Sequence, residues 1–285
     1  MPMKLASLLL FLLTVIAGAV NSLEQEFLCP ICGTHWQQRV ETSSRAKGLR
    51  LDLRQIGDIV DPPTLPQCVK CRFPLSSDRL TEQAKDPKKA PAFKQLRSFV
   101  LGADFQMLAA KNPPYFALAL VQGLNARNPT PHRVIALSYL RASWQVEDRE
   151  AACRRLLEKA REHYIAALAE SREGDPLRRE LALLCGEIER RLGKWDDAAK
   201  RFRDLDSSGI LNGTPQEGIP TLELRLIAQH DSAPHLLDGA DVAQIRDAKK
   251  SAPSDEKPTL NLGLPARIEK PEDALKLAQP PKPEK

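Results

Sequence analysis

The sequence predicts an α+β protein, mainly α, and three observations carry that reading. Two Cys-x-x-Cys pairs, Cys29 with Cys32 and Cys68 with Cys71, flank a stretch that alternates in the strand period at Leu49, Leu51 and Leu53. That pattern marks a small cysteine-stapled β module. From Phe93 to Leu205, apolar residues recur at three- and four-residue spacing, the pattern of amphipathic helices. The last 35 residues, 251–285, hold seven of the 23 prolines, six basic and six acidic side chains and no aromatic. They cannot bury enough apolar area to offset their ordering entropy, so they read as a disordered Pro-rich tail.

The first element is an address. Residues 1–22 carry a cationic start at Lys4, an apolar run from Leu5 to Val20 interrupted by Ser7, Thr14 and Gly18, and then small residues, the layout of a secretory signal peptide. Cleavage reads as after Ala19 or after Ser22. The run falls short of the roughly 20 apolar residues that a spanning helix wants, so an uncleaved membrane anchor is the alternative rather than the leading reading. Either way the chain is expected outside the cytoplasm, periplasmic or extracellular. A 28% charged fraction and a negative mean hydropathy exclude a polytopic membrane protein, while 42% hydrophobic residues exclude disorder throughout.

The module is expected over residues 23–84. The run Asp61-Pro62-Pro63-Thr64-Leu65-Pro66 cannot be helix, because proline lacks an amide donor and restricts its predecessor; it is the loop that delivers the second cysteine pair. A connector from Lys85 to Lys89 leads into a helical domain over residues 90–240. Short helical patterns run around Phe93 to Leu108 and Tyr115 to Leu124, broken at Asn112-Pro113-Pro114. Cys153, Leu157, Ala160, Tyr164 and Leu168 form one stripe, and Leu181, Leu184, Ile188 and Leu192 another. Gly193 breaks the second, and Trp195, Ala198, Phe202 and Leu205 begin a third, so a helix pair joined by a tight turn is predicted. Glu187 with Arg191, Asp196 with Lys200 and Asp197 with Arg201 are acid-before-base pairs four residues apart, read as a solvated helix face. Residues 207–220 are loop, and Leu222, Leu226 and Ile227 mark a last helix. In the tail, Leu260, Leu262, Leu264 and Ile268 stand out as a short docking motif or as singly exposed aliphatics.

Cys29-Pro30-Ile31-Cys32-Gly33 has the composition of a metal knuckle, with two thiolates in a tight turn, a proline that fixes it, and a glycine that lets the backbone fold back toward sulfur. Cys68 and Cys71 complete a four-sulfur set, although 35 residues separate the pairs and Arg72 stands where the first knuckle has Gly33. Zinc is the leading ligand, and four thiolates leave no open position, so such a zinc is structural. Two alternatives stay open in an oxidising compartment: structural disulfides between the pairs, or a redox dithiol. Residues 27–98 hold thirteen Lys and Arg against seven Asp and Glu, an excess suited to offset a formally dianionic centre, with Arg39, Arg54, Lys70 and Arg72 as candidates. A nucleic-acid surface is the sharper reading of that excess, but interleaved aromatics are missing and the whole chain carries only +5, so no nucleic-acid partner is expected. Cys153 and Cys185 read as small core residues, with a disulfide between their helices as the alternative.

No nucleophile elbow, phosphate loop or His-Glu-x-x-His pattern is present. The five histidines, at 35, 132, 163, 230 and 235, are scattered and read as surface or core residues. Asn212-Gly213-Thr214 matches a glycosylation acceptor.

Leu184 to Phe202, LCGEIERRLGKWDDAAKRF, resembles a tetratricopeptide repeat, best matched over residues 177–206. Gly186 takes the small-residue position of the first helix, Gly193 the turn, and Trp195, Ala198 and Phe202 the positions of the second. A weaker copy uses Val134 to Val146 with Ala160, Tyr164 and Ala167. The chain as a whole resembles a family of uncharacterised bacterial proteins that join an N-terminal double Cys-x-x-Cys, zinc-ribbon-like module to tetratricopeptide-like helices. The resemblance rests on the Cys29 knuckle, a strand at Arg50-Leu51-Asp52-Leu53-Arg54, the Asp61-Pro62 approach to Cys68 and Cys71, and the Leu184 to Phe202 repeat. It implies a zinc-binding helical-repeat fold and no reaction. The expected function is an exported scaffold for a protein or peptide partner, without catalytic residues; the alternative is an extracytoplasmic thiol redox or metal-dependent enzyme using one Cys-x-x-Cys.

Overall fold

Four short strands precede eight helices in the computed structural model, which describes residues 22–41, 46–57, 61–75, 91–124, 131–172 and 174–237. The signal core, the Lys85 to Lys89 connector and the 251–285 tail with its aliphatic motif lie outside these residues. Strands β1 (Ser22–Leu28) and β2 (His35–Glu41) pair antiparallel from Ser22 with Glu41 to Leu28 with His35. Leu23, Gln25 and Phe27 share a face with Val40, Gln38 and Trp36 across the ladder, and the Phe27 and Trp36 rings stack at 5.3 Å. That aromatic pair anchors a hairpin whose β1 strand is otherwise exposed.

A second hairpin joins β3 (Ala46–Leu49) to β4 (Gln55–Gly57). The strand expected through Leu53 therefore ends four residues early. Arg50 to Arg54 form a turn in which the Leu53 amide donates to the Arg50 carbonyl at 2.9 Å and Leu53 takes a φ of 66°. The cause is Asp52, whose wholly buried carboxylate collects donors from Arg50 in the same turn and from the distant Trp144 and Arg191, and bends the backbone round itself. The alternation at 49, 51 and 53 mimics a strand in sequence only: Leu51 and Asp52 are both buried at the turn and Leu53 is exposed.

The helices are α1 (Pro91–Leu101), α2 (Ala103–Lys111), α3 (Pro114–Gly123), α4 (Pro131–Trp144), α5 (Glu150–Glu170), α6 (Pro176–Arg191), α7 (Trp195–Ser207) and α8 (Ile219–Ala228). The expected Phe93 to Leu108 pattern is two helices, divided at Gly102. Helix α3 starts at a proline, where the missing amide has no partner to lose, and buries every side chain from Tyr115 to Gln122, so it is the central rod. Helix α6 is started by Asp175, whose carboxylate accepts from the Leu177 amide at 2.9 Å. It stops at Gly193, with φ 71°, where the Gly193 and Lys194 amides donate back to Arg190 and Glu189.

Both long predicted stripes face inward: Cys153, Leu157, Ala160, Tyr164 and Leu168 are buried, as are Leu181, Leu184, Ile188 and Leu192. Helices α5, α6 and α7 run antiparallel in succession. Arg154 near the start of α5 donates to Leu192 at the end of α6, and the α6 residue Gly186 meets Phe202 of α7. One hydrophobic core runs without a break from the cysteine knuckles, through Phe73, Phe105 and α3, to Leu192. Past α8 the chain returns to the module, where the Leu237 amide donates to Leu49, the Leu51 amide to His235, and Arg50 bridges Leu236. The folded body thus closes on β3. Among the described residues no helix is long and apolar enough to cross a membrane.

Candidate metal centre

The four predicted cysteines converge, and their local backbone explains how. Cys29 to Gly33 is the turn of the β1–β2 hairpin: the Cys29 amide donates to Thr34 and the Gly33 amide to Cys29, each at 2.9 Å. The second knuckle repeats the pattern, with the Cys68 amide to Phe73 and the Arg72 amide to Cys68, again at 2.9 Å. Gly33 has φ 72° and Arg72 φ 57°. Arg72 therefore adopts the left-handed turn that glycine supplies in the first knuckle, at a steric penalty of about 1 kcal/mol. The missing glycine leaves the turn intact.

Sγ of Cys29 lies 3.4 Å from that of Cys71, and Sγ of Cys32 lies 3.6 Å from that of Cys68. All four sulfurs fall within 4.8 Å of one another. A tetrahedron of metal–sulfur bonds of about 2.3 Å has edges of about 3.8 Å, so the set is sized for one ion. All six cysteines are free thiols, and a disulfide needs sulfurs at about 2.05 Å. Cys29, Cys68 and Cys71 are buried and Cys32 is half-buried. The hydrogen bond from Cys71 lowers the Cys29 thiol to about 5, against the opposing effect of burial. That contact, with burial, drives Cys71 upward, and burial raises Cys68. One sulfur is already disposed to be a thiolate.

The helical body grips both knuckles from behind. Arg97 of α1 donates to the Ile31 carbonyl at 3.1 Å, and Gln106 of α2 to the Cys71 carbonyl at 2.7 Å. His35 points elsewhere; it is exposed and sits 3.8 Å from Glu26. Of the cations expected to offset the sulfurs, Arg54 is engaged instead by Glu147 and the Asp61 carbonyl.

Sequence reasoning missed a buried charge network behind the module. Asp52 receives Arg50 Nη2 at 2.7 Å, Arg191 Nη1 at 2.7 Å and Trp144 Nε1 at 2.9 Å. Glu147 receives Arg50, Arg54 and Arg191. Burial opposes the Glu147 carboxylate, but the Arg50 hydrogen bonds and the charges of Arg50, Arg191 and Arg54 hold it below the usual carboxylate range. Deeper in, Arg190 lies between Glu187 and Glu223, with Nη2 at 2.7 Å from the former and Nε at 2.8 Å from the latter, all three at most 1% exposed. Burial pushes both glutamates up, and the neighbouring Glu187 charge helps push Glu223 far up. Two carboxylates in contact cannot both ionise, so this pair holds a proton. Glu189, also buried, is clasped by Arg201 and Arg161, while Arg161 also takes Asp197.

The acid-before-base pairs expected on a solvated face are thus redistributed: Glu187 meets Arg190 rather than Arg191, and Arg201 meets Glu189 rather than Asp197. Two of the histidines expected to be scattered also meet, with the Nδ1 atoms of His132 and His163 2.9 Å apart. Burial, then the charges of His132 and Lys159, push His163 down to about 3. Cys153 and Cys185 are buried and not joined by a disulfide, and the Cys185 thiol donates to Glu189; burial raises the first and takes the second to about 12, so neither is a reactive thiolate.

A cleft of about 520 Å3 opens between the module and the helices. Gln38, Arg54, Leu65 and Gln67 line one wall, Trp144 and Gln145 the other. Gln145 Oε1 is buried there without a hydrogen-bond partner among the described residues.

Residues 23–216 match the model of a family described as uncharacterized protein conserved in bacteria (DUF2225). No curated protein and no solved structure matches the chain.

Proposed function

The chain belongs to this conserved bacterial family, and from that premise we propose that it is an exported interaction protein whose four-cysteine centre holds a structural zinc. The observation that carries the reading is the closed tetrad: four convergent sulfurs, three of them buried, fill every position of a tetrahedral ion and leave none for water or substrate. When bound, zinc would be held by Cys29, Cys32, Cys68 and Cys71 and would cross-link the β1–β2 hairpin to the 61–75 loop. Arg97 and Gln106 then transmit that fixation to α1 and α2. The borders of the cleft depend on the same loop.

The repeat character would lie in helices α6 and α7. A Cβ at Gly186 would stand 2.6 Å from the Phe202 ring, and that close approach of a small residue to an aromatic supports a tetratricopeptide-like pairing. The partner would be a protein or peptide segment taken in the cleft between the module and the helices. The apolar run from Leu5 to Val20 supports export, and Ser22 already pairs with Glu41 in the hairpin, which favours cleavage after Ala19. A thiol redox enzyme is the weaker alternative, because a turning-over dithiol needs an accessible thiolate and only Cys32 is even half-exposed.

The test uses the full chain in its native host. A photo-crosslinker replacing Gln67 at the cleft is expected to capture a discrete protein, and the mature N-terminus is expected at Val20 in an extracytoplasmic fraction. Capture no greater than from an exposed position on α7, or a cytoplasmic chain beginning at Met1, would overturn the reading.

A further inference from the structure

His132 and His163 are 31 positions apart in sequence, yet α4 and α5 bring them into contact away from the cysteine centre. Their Nδ1 atoms face each other at 2.9 Å. The His163 ring is buried and lies flat against Tyr139, with centroids 5.7 Å apart and planes 22° apart, so its orientation is fixed by packing. His132 is reachable from solvent at 18% side-chain exposure, and its other ring nitrogen, Nε2, looks toward the Glu170 carboxylate at 3.6 Å. A carboxylate behind one imidazole nitrogen, with the opposite nitrogen left as a lone pair, is the arrangement that orients metal-ligating histidines.

We propose that His132 and His163 form a second metal site, a two-imidazole chelate for a divalent ion of the nickel or copper type. The spacing selects the ion. Metal–nitrogen bonds of about 2.0 to 2.1 Å place two donors about 2.9 Å apart at a right angle and about 3.4 Å apart at the tetrahedral angle. The observed 2.9 Å is the right-angle value, which suits tetragonal Ni2+ or Cu2+ better than four-coordinate zinc. Without metal, one Nδ1 donates its proton to the other. On binding, that proton moves to the far nitrogen of its own ring, and water completes the coordination. Glu170 is the positioning residue, holding His132 with its lone pair turned inward. The proposal is independent of what fills the four cysteines.

Nickel titration of the full chain tests it, read by calorimetry together with the near-ultraviolet spectrum. The expected result is one equivalent of Ni2+ bound to the zinc-loaded chain without sulfur-to-nickel charge-transfer absorption, and the same sulfur-free equivalent in addition to any nickel that enters the thiolates when they hold no zinc. His132→Gln, a partly exposed position at the start of α4, should lower the affinity by more than about tenfold, and Glu170→Gln by about tenfold. Zinc should compete only weakly. The proposal is overturned if nickel enters only through sulfur, if no equivalent binds, or if His132→Gln binds nickel as the wild type does. Should His132→Gln fold poorly, the exposed Glu170→Gln substitution decides: unchanged nickel affinity in that variant contradicts the site as drawn.

Discussion

Replacing Arg190 by methionine removes the cation that lies between two carboxyls at most 1% exposed to solvent. Breaking a buried ionic group by deleting one partner costs about 3 to 5 kcal/mol, because the other partner stays desolvated. With a urea slope of about 2 to 3 kcal/mol per molar for a chain of this size, the unfolding midpoint of Arg190→Met should fall by about 1 to 2.5 M. Glu223→Gln should behave differently. Burial and the Glu187 charge push Glu223 far up, so an amide at 223 supplies the neutral donor that the proton-sharing pair needs, and the loss should stay within about 1 kcal/mol. The triple variant Glu187→Met, Arg190→Met, Glu223→Leu should regain most of the loss. The pH dependence has a definite sign. A carboxyl whose folded pKa is raised contributes stability that is complete below its unfolded pKa and is lost as pH rises through the folded value. The wild-type midpoint should therefore decline toward alkaline pH, and Glu223→Gln should flatten that decline. Arg190→Met within 1 kcal/mol of wild type, or Glu223→Gln as damaging as Arg190→Met, would refute the reasoning.

Asp52→Ala leaves Arg50 and Arg191 with Glu147 as their carboxylate partner and strands the Trp144 indole N–H; it should cost about 1 to 3 kcal/mol, with hydrogen exchange rising first in β3, β4 and residues 231–237, which meet at that joint. Glu147 acts in the opposite sense to Glu223: its folded pKa is depressed, so its contribution is complete above the ordinary carboxylate range and is lost as pH falls, and the protection of amides at the same joint, relative to their intrinsic exchange, should fall in acid. Gly186→Ala gains about 1 kcal/mol of helix propensity but drives a methyl to 2.6 Å from the Phe202 ring; overpacking of about 1 to 3 kcal/mol should win and lower the melting temperature. Arg72→Gly removes a left-handed non-glycine residue and should stabilise the second knuckle by about 1 kcal/mol, with metal affinity retained.

The sequence made the cysteine set legible because two thiols two residues apart can close only a tight turn, and such a turn carries its own hydrogen-bond pattern whatever surrounds it. The stripes of α5, α6 and α7 were legible for a similar reason, since burial of one helix face repeats at a fixed spacing. Asp52 was not, because a short polar residue between two leucines continues a strand alternation on paper, and only Trp144 and Arg191, 92 and 139 positions away, turn it inward. Glu187 and Arg190 hid in the same way. Charged residues on a helix read as solvated until the helix that covers them is known, and α8 with Glu223 is that cover. The signal available in hindsight is that Glu187 and Arg190 border the apolar stripe formed by Leu184, Ile188 and Leu192. The His132 and His163 contact left no local trace, since it depends on how α4 and α5 align.

The central claim is the closed metal centre, and metal content with thiol titration on one purified sample tests it most directly. The account predicts about one zinc per chain, with Cys29, Cys32, Cys68 and Cys71 unreactive until chelator and denaturant are added together. A metal-free, folded chain whose four thiols react freely, or are already paired as disulfides, would contradict it.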